Sequence, residues 1–163
     1  MGTRIAAEHG IQWPTRLEFE NWQILFLSSH QEGATYGHLG ARELVKLNKQ
    51  LEDNPSLHSL VTLHHHPVKM RSRWMDELML QDSRGFLDVV DKYNNVRAVL
   101  WGHVHQEFDE QRDSIRMLAT PSTGRQFKPL ADDYTVDDKP PAFRLLSLKP
   151  TGEIETETVY CPS

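Results

Sequence analysis

Leu60-Val61-Thr62-Leu63-His64-His65-His66-Pro67 and Val96-Arg97-Ala98-Val99-Leu100-Trp101-Gly102-His103-Val104-His105 are the two stretches that decide the fold. In each, an apolar run of strand length ends abruptly on histidines, and Pro67 or Gly102 breaks the extended pattern at that point. Between them, Asp82-Ser83 can cap a helix in which Phe86, Leu87, Val90 and Tyr93 share a face, and Asn94-Asn95 ends it. Strand, helix and strand in that order predict a βαβ unit with both histidine clusters at the carboxyl ends of parallel strands. That edge is where ligands bind in open α/β sheets.

Upstream, Leu17-Glu18-Phe19-Glu20 alternates, Asn21 can turn, and Trp22 to Leu27 is a mostly apolar run, so a hairpin enters the sheet. Leu44, Leu47 and Leu51 recur at helical spacing between Gly40 and Asn54-Pro55, which predicts a surface helix over 41–53. Residues 68–81 lack periodicity and read as an irregular loop. Downstream, Glu107-Phe108-Asp109, Ile115 to Ala119, Phe143 to Leu148 and Ile154 to Val159 read as short strands, the last two joined by the turn Pro150-Thr151-Gly152-Glu153. Asp132 to Pro141 reads as a solvated loop. Trp22 and Trp101 are expected in the core, and Trp13-Pro14 as a turn anchor. The expected class is α/β (α+β by some schemes), in one domain over residues 1–163.

Composition narrows the partners. The 163 residues carry a net charge of -5, which disfavours nucleic acid and an anionic membrane face, because both select basic surfaces. A negatively charged substrate would need a bound cation. The single Cys161 cannot form an intrachain disulfide, the opening nine residues lack the apolar core of a signal peptide, and no apolar run approaches membrane-spanning length. A cytoplasmic location is expected.

Gly102-His103-Val104-His105 sets two imidazoles two positions apart where a strand gives way to a loop, so an extended backbone would aim both to one side. Imidazole nitrogen binds zinc at about 2.0–2.1 Å and suits iron and manganese as well. His64-His65-His66 would face the same sheet edge. Side chains alternate along an extended segment, so His65 is taken as the metal ligand, and His64 and His66 as supporting or substrate contacts. His9, His30, His38 and His58 stand alone and receive no role. Asp109, Asp113, Asp132 and Asp133 lie in hairpins and loops and read as solvated surface.

Leu63-His64-His65-His66-Pro67, Trp101-Gly102-His103-Val104-His105-Gln106, Ala119-Thr120-Pro121-Ser122-Thr123 and Gln126-Phe127-Lys128-Pro129 together resemble the calcineurin-like metallophosphoesterase superfamily, in its cyclic AMP phosphodiesterase branch. The resemblance implies half of an αββα sandwich, a mixed sheet with flanking helices. It implies a dinuclear centre of iron, manganese or zinc, with His65 and His103 on one metal and His105 on the other, and Thr123, Gln126 and Phe127 near the nucleotide. It also implies hydrolysis of 3′,5′-cyclic AMP to 5′-AMP. The superfamily's Asp-x-His, Gly-Asp and Gly-Asn-His-Asp motifs are missing from these residues, and the chain is expected to begin just past the last of them.

Three neutral imidazoles without a carboxylate cannot offset two divalent cations, so one metal or none is expected here, with no catalytic residue assigned and the isolated chain inactive. Two other readings stay open. One is a non-catalytic metal-binding or interaction module left from a truncated phosphoesterase; the other is a single zinc on His65, His103 and His105. Exposed sheet edges in a half-sandwich predict a homodimer or other association through them.

Overall fold

The two decisive runs form β3 (His58–Leu63) and β4 (Val96–Trp101), paired in parallel with Val61 beside Val99 and Leu63 beside Trp101. This is a computed structural model that describes residues 15–161; Trp13-Pro14 and His9 lie outside the described residues. The hairpin β1 (Arg16–Phe19) and β2 (Trp22–Phe26) enters where alternation placed it, and β2 lies parallel to β3. On the other side, β6 (Ile115–Ala119) runs parallel to β4, and β5 (Phe108–Arg112) is antiparallel to β6. The order β1-β2-β3-β4-β6-β5 makes a six-stranded mixed sheet with an antiparallel strand at each edge.

Helix α1 (Gly40–Glu52) joins β2 to β3, and α3 (Ser83–Val90) precedes β4, so two crossovers return on the same face. There Leu47, Leu51, Phe86, Val89 and Val90 bury against Leu25, Val61, Val99 and Met117 of the strands. The opposite face carries the alternate residues Trp22, Leu60, Ala98 and Leu118. It is covered by the hairpin β9 (Ala142–Leu148) and β10 (Ile154–Tyr160), which contributes Ile154, Leu146 and Leu148. A mixed sheet with helices outside and a small second sheet opposite is the expected half-sandwich.

Three details differ from the reading by periodicity. Within residues 68–81, Arg73–Asp76 forms a short helix, α2, with Met75 buried beneath it. Gln126–Phe127 (β7) pairs with Val136–Asp137 (β8), so the stretch Asp132 to Pro141 is partly ordered by pairing. Asp82 precedes α3 but makes no side-chain cap there; its carboxylate accepts from the backbone N–H of Leu39 at 3.1 Å and of Gly40 at 2.8 Å. Asp82 therefore caps α1, where the unpaired amides and positive dipole end favour a carboxylate. Both tryptophans expected in the core are there, each 1% exposed. No helix among the described residues is long and apolar enough to cross a membrane.

Candidate metal centre

Parallel pairing of β3 with β4 brings their carboxyl ends side by side, and the N–H of Gly102 donates to the carbonyl of His64 at 3.2 Å. The backbone leaves β3 after Leu63 and bends through His64 and His65, so strand alternation stops there. All three histidines of that run approach His103, with ring centroids at 5.1 Å from His64, 4.6 Å from His65 and 5.8 Å from His66. Within this group, His64, His65 and His103 each offer a nitrogen, and the three atoms lie within 4.8 Å of one another. Such a group could hold a metal ion once the rings close in slightly, since two nitrogens on one zinc stand about 3.4 Å apart in a tetrahedral site.

The rings of His65, His103 and His105 each meet a partner at Nδ1. His65 Nδ1 meets Ser29 Oγ at 2.9 Å. His103 Nδ1 faces His64 Nε2 at 3.2 Å, and His103 Nε2 is buried without a hydrogen-bond partner. His105 Nδ1 donates to the carbonyl of Arg125 at 3.0 Å, and its ring stacks on Phe127 at 4.4 Å and 2°. A proton held on Nδ1 leaves the lone pair on Nε2, the form in which imidazole binds metal. His103 and His105 both have positive φ, 44° and 48°, and the Val104 N–H donates back to the Gly102 carbonyl. The Gly-His-x-His segment is thus a tight turn with both histidines in the left-handed region, and not the extended strand end that spacing suggested. Non-glycine residues are rare in that region and cluster at functional sites.

The electrostatics favour neutral rings. Burial, then the neighbouring imidazoles, push His103 down to about 3. His65 is pushed down to about 4 by burial and by His64, with His30 adding to the effect and the Thr35 carbonyl opposing it. His66 falls to about 4 for the same first reason, and burial with His105 lowers His64. Near neutral pH no proton competes for these lone pairs, as a metal ligand requires.

The remaining candidates sit around this group. His66 is fully buried, with both ring nitrogens unpartnered, behind His103. Thr123 is exposed. Gln126 is buried and holds its own loop: its amide oxygen accepts from the N–H of Ser122 at 2.9 Å, and its NH2 donates to the carbonyls of Ser122 at 2.7 Å and Pro140 at 3.0 Å. Phe127 also meets Trp74 and Tyr134 edge-on at 5.2 and 5.4 Å, so an aromatic group adjoins His105. Of the solvated aspartates, Asp109 pairs with Arg116, Asp113 with Arg112 and Asp133 with Arg73.

Ser29, Gly37 and Trp74 were not singled out from the sequence. Ser29 follows β2, the strand beside β3, so a hydroxyl at the end of a neighbouring strand was the available signal. Gly37 touches the site by close approach. A Cβ there would lie 2.5 Å from the Cβ and Cγ of His65, which only a residue without a side chain avoids.

No family model matches the chain. The cyclic AMP phosphodiesterase CpdA of Vibrio vulnificus is 37% identical over 148 residues, covering 90% of this chain and 54% of that protein. CpdA of Pseudomonas aeruginosa is 40% identical over 136 residues, covering 83% and 50%. A 3′,5′-cyclic-nucleotide phosphodiesterase of Nostoc is 37% identical over 142 residues, covering 87% and 53%. The chain thus spans about half the length of the curated relatives it matches. Among solved structures, a dimetal phosphatase from Danio rerio superposes with a TM-score of 0.54 at 12% identity, over 86% of this chain and 58% of that one. The chain is thus similar to one half of proteins named as cyclic nucleotide phosphodiesterases, and its mixed sheet with flanking helices shares the fold of the dimetal phosphatase.

Proposed function

We propose that this chain is the histidine-bearing half of a cytoplasmic phosphodiesterase that hydrolyses 3′,5′-cyclic AMP to 5′-AMP, forming one domain over residues 1–163. The observation that carries the reading is the meeting of His64, His65 and His103 at the ends of two adjacent parallel strands. The donor set fits a metal, since a buried, unpartnered His103 Nε2 and neutral rings are what a cation would use. It fits one cation better than two. The clustered ligands are all imidazoles, and nothing in the group offsets the charge of a second dication.

Iron, manganese or zinc would be held by His65 and His103, with His105 offering Nε2 to a second position completed by carboxylates from outside this chain. When bound, the cation supplies Lewis-acid stabilisation of the charge that builds on phosphorus. The chain's own groups do the rest. His64, exposed beside His103, can hydrogen-bond a phosphate oxygen, and the fully buried His66 backs the His103 ring. Thr123, Gln126 and Phe127 would border the nucleoside, a reading supported by the stacking of Phe127 on His105. Water adds to phosphorus, the bond to the 3′-oxygen breaks, and that oxygen takes the proton.

The all-imidazole ligand group favours a second reading, a metal-binding module without turnover. Metal analysis with a cyclic AMP hydrolysis assay separates the two. Activity should be absent from the chain alone and appear on adding the amino-terminal half of a relative; failure of every such pairing, with metal still bound, would leave the module.

A further inference from the structure

The ring of His65 is gripped on one edge by a segment that belongs to neither histidine run. Past the end of β2, the Leu27 N–H still donates to the Thr62 carbonyl at 2.9 Å, so the chain leaves the sheet alongside the end of β3. Ser29 follows, 2% exposed, and its Oγ accepts the backbone N–H of His65 at 3.2 Å while meeting Nδ1 at 2.9 Å. Gly37 closes the same edge, since a Cβ on it would lie 2.7 Å from Nδ1. The ring of His103 lies 4.6 Å away between centroids.

A hydroxyl has two acceptor lone pairs and one donor. The His65 N–H occupies one lone pair, and the contact at Nδ1 can then run either way. With Nδ1 enclosed by Ser29 and Gly37, Nε2 is the nitrogen left for a cation, and a free Nε2 lone pair requires the proton on Nδ1, donated to the second lone pair of Ser29. We propose that Ser29 is a positioning residue: its hydroxyl holds His65 as the Nδ1–H tautomer and so makes Nε2 the metal-binding atom. The inference rests on reading the histidine group as a metal centre, and it adds a determinant of affinity that lies outside the ligands. Partners of this kind typically account for about 10–100-fold in metal affinity.

The test uses the full chain as wild type, Ser29→Ala and Ser29→Thr, with cobalt(II) as the probe. Long-range nitrogen–proton NMR of the metal-free protein reads the His65 tautomer directly, and titration reads affinity. Wild type and Ser29→Thr should show His65 protonated on Nδ1. Ser29→Ala should show mixed tautomers and about 10–100-fold weaker cobalt binding. His65 protonated on Nε2 in the wild type overturns the proposal without recourse to any variant, and so does unchanged affinity in a folded Ser29→Ala. A wild type that takes up no cobalt defeats the metal reading, and the tautomer then decides on Ser29 alone.

Discussion

At the scale of single residues, the site depends on backbone as much as on side chains. His103 and His105 sit at positive φ, where an L residue with a Cβ is disfavoured by about 1–2 kcal/mol. Substitution at 105 should therefore invert the usual order of helix and strand formers: His105→Gly is expected to be about 1 kcal/mol more stable than His105→Ala. Denaturant unfolding of the two variants checks this, and an alanine variant equal or superior to glycine would show that the turn carries no strain. The same backbone explains what the sequence left hidden. Gly-His-x-His announces two imidazoles near one another, but spacing assumes an extended chain, and only the fold reveals that the chain coils there. His64 joins the group for a related reason, because β3 bends where alternation was assumed to continue. His65 and His103 were legible, since each stands at the mouth of an apolar run whose direction the neighbouring helix fixes.

At the scale of elements, most runs with clean period were placed to within a residue or two, while α3 stops at Val90, short of Tyr93, and β5 runs on to Arg112, past Asp109. β4 coincides with the stretch read from Val96 to Trp101, and α1 is displaced by one residue from the expected span. What local pattern could not supply is the set of contacts between elements distant in sequence. Asp82 carries the signature of a cap for α3, and it caps α1 because Leu39 and Gly40 approach it across the loop. Asp82→Ala should then cost about 1–2 kcal/mol, with faster amide exchange at the start of α1 and none at the start of α3. Amide exchange loss confined to α3 would refute the cross-cap. The pairing of β7 with β8 was invisible for the same reason: two residues a side give no periodicity, and the loop of Gln126 that shapes it is held by backbone carbonyls.

At the scale of the whole molecule, the two faces of the sheet are unequally covered. Helices seal one face, while the other carries a single hairpin that leaves Ile24 and Leu100 half-buried. Leu17 and Phe19 pair across the strand with Ile24 and Trp22, so they share that face, and they stay 46% and 43% exposed. The hairpin turns Phe143 and Leu145 outward, 39% and 51% exposed. At the far edge, β5 is guarded by Asp109, Glu110 and Arg112, charges that discourage strand pairing. Self-association through the β1 side is thus expected to rise with concentration in sedimentation velocity, and Leu17→Glu with Phe19→Glu should weaken it. A clean monomer at high concentration would refute it. Bonds that tie the hairpin down include those from Arg144 to the carbonyls of Ala119 and Phe108, from Arg116 to that of Ile154, and from the Trp22 indole N–H to that of Lys149 at 2.8 Å. That last contact makes Trp22 a natural fluorophore for this layer, because lifting the hairpin would wet its ring and shift its emission to the red while the helical layer stays closed.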